Sequence, residues 1–133
     1  MNTCFLALGS NLNAPERQIR LAIKHIQQLA SCAVIAIAPF YPNEAIGRRA
    51  QPKFCNTVIK ILTQLTPLEL LDACQHIEAL QGRVRRVRWG ARPIDIDILY
   101  YADRQLKTPR LTIPHPLIQE REFVYKPLRL INS

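Results

Sequence analysis

The chain is poor in glycine. Only four occur in 133 residues, and none belongs to a GxxxxGK[ST] run, so a P-loop nucleotide site is excluded. Gly9-Ser10-Asn11 is too short a glycine signal to carry weight alone. Of the three histidines, His115 stands between two prolines with no second histidine near it, which excludes a histidine-rich metal site. The four cysteines, Cys4, Cys32, Cys55 and Cys74, form no CxxC pair, and each lies in an apolar stretch. They read as small buried hydrophobes of a reducing compartment. No basic segment followed by an apolar core opens the chain, and no apolar run approaches the length of a membrane span. The expectation is a soluble, cytoplasmic protein with no membrane partner. There is no low-complexity tract, no internal repeat and no evident nucleophile–base pair. Nearly half the residues are apolar, so residues 1–133 are expected to fold as one domain.

What the chain does have is a local concentration of charge. Arg83, Arg85, Arg86, Arg88 and Arg92 place five arginines within ten residues and account for more than half of the formal net charge of +8. Basicity this local suggests a bound anion more than a whole nucleic-acid-binding face. No acidic residue lies between Glu78 and Asp95 to neutralise the loop. Directly after it, Ile94, Asp95, Ile96, Asp97 and Ile98 alternate. A strand has a side-chain period of two, so both carboxylates share one face and the isoleucines the other. A lone pair of this kind is often only the wet face of an edge strand. Beside an arginine loop it reads differently. Two adjacent carboxylates repel, a divalent cation relieves the repulsion, and Mg²⁺ prefers a few carboxylates plus substrate phosphates. The arginines can fork onto phosphate oxygens. The constellation reads as a metal–nucleotide site for phosphoryl-type transfer, a chemistry that needs positioning and electrostatics more than a covalent group.

Patterning gives the fold class. Thr3 to Leu8 reads as a buried strand. A helix follows from Asn13, with Glu16 three residues on, to about Leu29, its buried face marked by Ile19, Ala22, Ile23, Ile26 and Leu29. Ala33 to Phe40 is a second strand, and Tyr41 to Pro52 an irregular, ligand-covering loop. Phe54 to Leu65 is a third strand. Thr66-Pro67-Leu68-Glu69 opens a second helix with a capping box, and Gly82 ends it. Leu70, Leu71, Cys74 and Ile77 form its core face, with Gln75 and Glu78 on the other side. The Asp95/Asp97 strand comes next, then a hairpin turn at Ala102 to Gln105. An extended Arg110 to Pro116, a helical turn at Gln119 to Glu122 and an apolar run Phe123 to Leu128 complete the chain. The order predicts an α+β fold: a ferredoxin-like βαββαβ core with additional strands, helices packed on a mostly antiparallel sheet, and the other sheet face free for a ligand.

The run Gln81 to Ile98, QGRVRRVRWGARPIDIDI, closely resembles the signature of the 6-hydroxymethyl-7,8-dihydropterin pyrophosphokinase family. LALGSNL near the N-terminus, Gln51 to Asn56, TIPHP at Thr112 to Pro116, and Arg121 to Leu128 resemble that family in the same order. The resemblance implies transfer of pyrophosphate from ATP to 6-hydroxymethyl-7,8-dihydropterin, giving AMP, in folate biosynthesis. It implies that Asp95 and Asp97 bind two Mg²⁺, and that Arg83 and Arg92 assist transfer. Arg85, Arg88 and Trp89 would close over the ligands. Gln75, Ile98, Arg110, Thr112 and His115 would help hold ATP, the co-substrate. Phe54 and Phe123 would sandwich the pterin, and Asn43, Ile46, Asn56 and Arg121 would contact it. The residue types suit a flat ring rich in donors and acceptors: two aromatic rings and an amide. The partners implied are these two small molecules and no nucleic acid, with the chain acting as a monomer.

The sequence departs from that family in three places. Tyr41 to Gly47 lacks a Thr-Pro-Pro-like run and carries Glu44, the arginine loop is about one residue short before Trp89, and members continue past Leu128 where this sequence ends at Ser133. A terminal element of the family is therefore expected to be lacking. Two other readings stay open: a basic RNA-binding module on a ferredoxin-like sheet, and a homologue that binds nucleotide without turnover. Against the first, the aromatics are not interleaved on one strand, and bare aspartates would repel phosphates.

Overall fold

A computed structural model describes residues 1–11, 14–43, 54–82 and 93–132. The sheet is built from β1 (Asn2–Ser10), β2 (Cys32–Ile37), β3 (Tyr41–Asn43), β4 (Phe54–Thr63) and β5 (Asp95–Tyr101). The strand order is β2-β4-β1-β5, with β3 also on β4, and every pairing is antiparallel. Leaving β3 aside, this is the strand order of the split βαβ arrangement. The crossovers are α1 (Pro15–Gln27) and α2 (Pro67–Leu80). β1 and β4 pair along their full length, from Asn2↔Thr63 to Ser10↔Cys55.

The periodicity explains the layers. In β1, Cys4, Leu6 and Leu8 point into the main core, while Phe5 and Ala7 point to the opposite face. α1 lays Ile19, Ala22, Ile23 and Ile26 on the first face, at the helical spacing expected from sequence. It starts at Pro15, whose fixed φ suits the first helical position, and ends at Gln27, short of Leu29. Its N-cap is Ala14 in the left-handed region (φ 57°), with no side-chain cap; the Asn13 expected in that role lies outside the described residues. α2 begins as predicted. The Thr66 hydroxyl accepts from Glu69 N–H at 3.3 Å, and Thr66 N–H donates to Glu69 Oε1 at 2.9 Å. Gly82 follows its end with φ 91°. Tyr101 Oη donates to Leu65 O at 2.5 Å, fastening the end of β5 to the turn before α2.

Three expectations about the elements are corrected, and one unassigned run gains an element. β2 stops at Ile37 because Pro39 has no N–H to offer a ladder; Ala38 still donates to Val58 O and its carbonyl accepts from Thr57 Oγ1. Tyr41 to Asn43, expected to be irregular, forms a short strand because β4 extends past β2 and offers it an edge, pairing Tyr41↔Asn56 and Asn43↔Phe54. The turn at Ala102 (φ 48°) does not join a hairpin on β5. Instead β6 (Leu106–Lys107) pairs with β7 (Thr112–Ile113) in a separate ribbon. The apolar run at Phe123 belongs to a helix, α3 (Glu122–Ile131), preceded by a 3₁₀ turn at Ile118–Glu120.

α3 also changes the picture of the sheet. Val124 and Leu128, with Ile118, pack on Phe5, Val58 and Leu99, a second apolar cluster on the face opposite α1 and α2. That face is therefore shared between a helix and a cleft, rather than left free as expected.

Candidate active site

The cleft lies on the α3 side of the sheet. Ala7 is the register partner of Asp97, and Gly9 the partner of both Asp95 and Asn56. Directly paired residues share a face, so Asp95, Gly9 and Asn56 form one row across three strands. Asp95 and Asn56 are two strand spacings apart, roughly 10 Å at about 4.8 Å each. The small residues opposite the aspartates leave room above both carboxylates, which are half-buried as the alternation predicted. Gly9 matters for a further reason: a Cβ there would meet Asn56 Oδ1 at 2.6 Å.

Around this row a cavity of about 940 Å³ is lined by residues from both halves of the chain. Of the residues singled out from sequence, Gln75, Asp95, Asp97, Ile98, Arg110, Thr112, His115, Phe54, Asn56, Arg121 and Phe123 border it. Ile98 is 2 % exposed with its side chain in the main core, so what it presents there is its backbone. Asn43 ends β3 opposite Phe54. Ile46, Arg83, Arg85, Arg88, Trp89 and Arg92, with the whole arginine loop and the ligand-covering loop, lie outside the described residues.

The two ends of the cleft differ in chemistry. At one end, Asn56 is 8 % exposed and its Nδ2 is buried with no hydrogen-bond partner among the described residues. Phe54 and Phe123 are half-buried at the same cavity, and Arg121 lies over the Phe123 ring with 6.0 Å to the centroid. At the other end stand the aspartates and a cationic flank. Arg110 Nη2 donates to Asp72 Oδ1 at 2.7 Å and to Gln75 Oε1 at 3.2 Å. His115 is held by its backbone N–H, which donates to Leu99 O at 2.9 Å, and by Nδ1, which accepts from Leu117 N–H at 3.1 Å. An accepting Nδ1 puts the proton of the neutral ring on Nε2. Burial holds the His115 pKa below the ordinary imidazole range; Asp97 opposes this and Arg121 adds to it.

Glu78 is the residue that sequence reasoning misplaced. It was expected on the outer side of α2 with Gln75, but it is 5 % exposed, and its Oε2 accepts from Ile96 N–H at 2.9 Å. The signal was present: Leu70, Cys74 and Glu78 recur at i, i+4 and i+8, the stripe that faces the core. Cys74, one turn earlier, registers the same neighbourhood. Its thiol pKa is pushed up by burial first and then by Glu78, with Asp97 contributing further.

Fold and cleft together define an α+β structure whose cavity joins an acidic end to an aromatic end. The model of the 7,8-dihydro-6-hydroxymethylpterin-pyrophosphokinase (HPPK) family matches residues 5–133. A 2-amino-4-hydroxy-6-hydroxymethyldihydropteridine pyrophosphokinase of Haemophilus influenzae is 48% identical over 133 residues, covering 100% of this chain and 83% of that one. The enzyme of the same name from Pseudomonas aeruginosa is 45% identical over 124 residues, covering 93% and 76%. Among solved structures, a triple mutant of Plasmodium falciparum HPPK-DHPS with pteroate superposes with a TM-score of 0.68 at 16% identity, over 96% of this chain and 39% of that one, which bears on the fold alone. The chain belongs to the 7,8-dihydro-6-hydroxymethylpterin-pyrophosphokinase family. It is thus a pyrophosphokinase by class, an enzyme of pyrophosphate transfer.

Proposed function

We propose that the chain transfers the terminal pyrophosphoryl group of ATP to the hydroxymethyl oxygen of 6-hydroxymethyl-7,8-dihydropterin, with Mg²⁺, as a step of folate biosynthesis. The hydroxyl oxygen bonds to the β-phosphorus, the bond from that phosphorus to the α,β-bridging oxygen breaks, and AMP leaves with the electron pair. The hydroxyl proton is released. The observation that carries this reading is the Asn56 amide, buried and without a partner at Nδ2 among the described residues, in a cavity bordered by Phe54 and Phe123. A buried donor left unpaired is costly, and a flat heterocycle with ring acceptors, held between aromatic faces, would satisfy it.

The opposite end suits the nucleotide. Asp95 and Asp97 offer oxygen donors on one face. Among the described residues no group of three or more His, Cys, Asp or Glu converges on an ion. Two carboxylates fit Mg²⁺, which completes its shell with substrate phosphate oxygens and water. Asp95 and Asp97 would hold two such ions, which would supply charge to offset that of the phosphates. Gln75, Arg110, Thr112 and His115 would hold ATP, His115 as a neutral donor through Nε2, and Ile98 through its backbone. Asn43, Ile46 and Arg121 would contact the pterin. Arg83 and Arg92 would follow charge as it develops, while Arg85, Arg88 and Trp89 would cover the ligands. With Asn56 roughly two strands from Asp95, a pterin held at Asn56 would point its hydroxymethyl group toward the acidic end, and catalysis would come from alignment of hydroxyl and phosphate.

The test is calorimetric titration of 6-hydroxymethylpterin into protein loaded with Mg²⁺ and a non-hydrolysable ATP analogue. Asn56→Ala is expected to weaken pterin binding about ten- to hundredfold, as loss of a buried hydrogen bond of about 1–3 kcal/mol requires, with analogue affinity unchanged. Unaltered pterin affinity would refute the assignment of this end of the cleft.

A further inference from the structure

We infer that Glu78 is a positioning residue for the acidic pair: it sets the carboxylates of Asp95 and Asp97 by pinning the one residue between them. β5 is the outer strand on its side of the sheet. Asp95 and Asp97 are register partners of Gly9 and Ala7 in β1, and Ile96 is the partner of Leu8. The Ile96 N–H does not join that ladder. It points away from β1 and donates to Glu78 Oε2 at 2.9 Å. Ile96 itself is anchored in the main core. The Ile96 N–H belongs to the Asp95–Ile96 peptide plane, so this bond holds that plane directly and, through the Ile96 side chain anchored in the core, restrains the backbone that carries Asp97.

Three features make this contact an effective clamp. Glu78 is 5 % exposed, so water competes poorly for the N–H. A carboxylate acceptor gives a stronger hydrogen bond than a neutral one. Glu78 also projects from the last turn of a capped helix whose Leu70, Cys74 and Ile77 are locked in the core. Further along the same edge, His115 N–H donates to Leu99 O at 2.9 Å. Glu78 thus holds the outer edge at the acidic pair and the His115 backbone holds it three residues on. A bare strand edge would permit small shifts of the carboxylates, and small misplacements are costly where geometry sets the rate.

The inference rests on the reading of Asp95 and Asp97 as cation ligands, so the experiment separates the two. Mn²⁺ binding, followed by electron paramagnetic resonance with a non-hydrolysable ATP analogue and no turnover, is compared in wild type, Glu78→Gln, Glu78→Ala and Asp97→Ala. Gln keeps an oxygen that accepts the Ile96 N–H, whereas Ala does not. Mn²⁺ affinity is expected to stay within about threefold for Glu78→Gln and to fall about tenfold or more for Glu78→Ala. Faster exchange of the Ile96 amide is expected only in Glu78→Ala. If Glu78→Ala does not fold, Glu78→Met fills the same space without an acceptor and takes its place. Equal losses in the Gln and Ala variants would overturn the positional role in favour of a charge effect, and no loss in Ala would overturn it outright. An Asp97→Ala variant that binds Mn²⁺ normally would overturn the cation site itself, and the positioning role with it.

Discussion

Gly9 and Asn56 show how much of the cleft rests on single residues. The row Asp95, Gly9, Asn56 exists because the middle position has no side chain. Gly9→Ala would bring a methyl within 2.6 Å of Asn56 Oδ1, and Asn56 is too enclosed to swing away freely. The expected result is a loss of about 1–3 kcal/mol in urea unfolding, with weaker pterin binding; an unchanged midpoint and affinity would refute the close approach. His115 gives a pH test. Its folded pKa is lowered, mainly by burial, so between that value and an unfolded value of about 6.5 the unfolded chain binds more protons. Stability from this group therefore rises with pH across that window and is lost as pH falls below about 6.5. Unfolding measured from pH 8 to pH 5 should show wild type losing ground to His115→Gln as pH falls. A constant difference would contradict the burial argument. At this scale the shared face of Asp95 and Asp97 was legible from alternation. Glu78 was not, because pairing it with Gln75 by spacing overlooked its place in the Leu70–Cys74 stripe.

Elements whose signals are local were legible, and those defined by a partner were not. The α2 start is written in Thr66-Pro67-Leu68-Glu69 and was found as predicted. Thr66→Ala is expected to cost about 1 kcal/mol, read as a lower urea midpoint at an unchanged slope; a shift below a few tenths would show that the cap is compensated. β3 was missed because three residues with a proline make a strand only against the overhang of β4. The Phe123 run was left without an assigned element because a short apolar stretch does not distinguish strand from helix. Its true period, Val124, Pro127, Leu128, emerges only once the chain lies across the second sheet face. The β6–β7 ribbon follows the same rule. A turn signal at Ala102 marks a reversal without saying which strand it serves.

At the scale of the whole molecule, the sheet divides its duties by face. One face is filled by α1, α2 and the main core. The other is shared between α3 and the cavity, and α3 both seals an apolar cluster and brings Phe123 and Arg121 to the cleft. The site draws on β1, β4, α2, β5 and the segment from Arg110 to Val124, so no single stretch of sequence contains it. The architecture was legible in outline, since βαββαβ order predicts this strand arrangement, whereas the covering of the second face depended on α3. If the two ends of the cleft work together, AMP release from ATP with Mg²⁺ depends on the pterin, and this is measured with and without 6-hydroxymethyl-7,8-dihydropterin. The prediction is AMP formed only with the pterin, one per pterin consumed. AMP formed equally without it, or none from folded protein, would contradict the account.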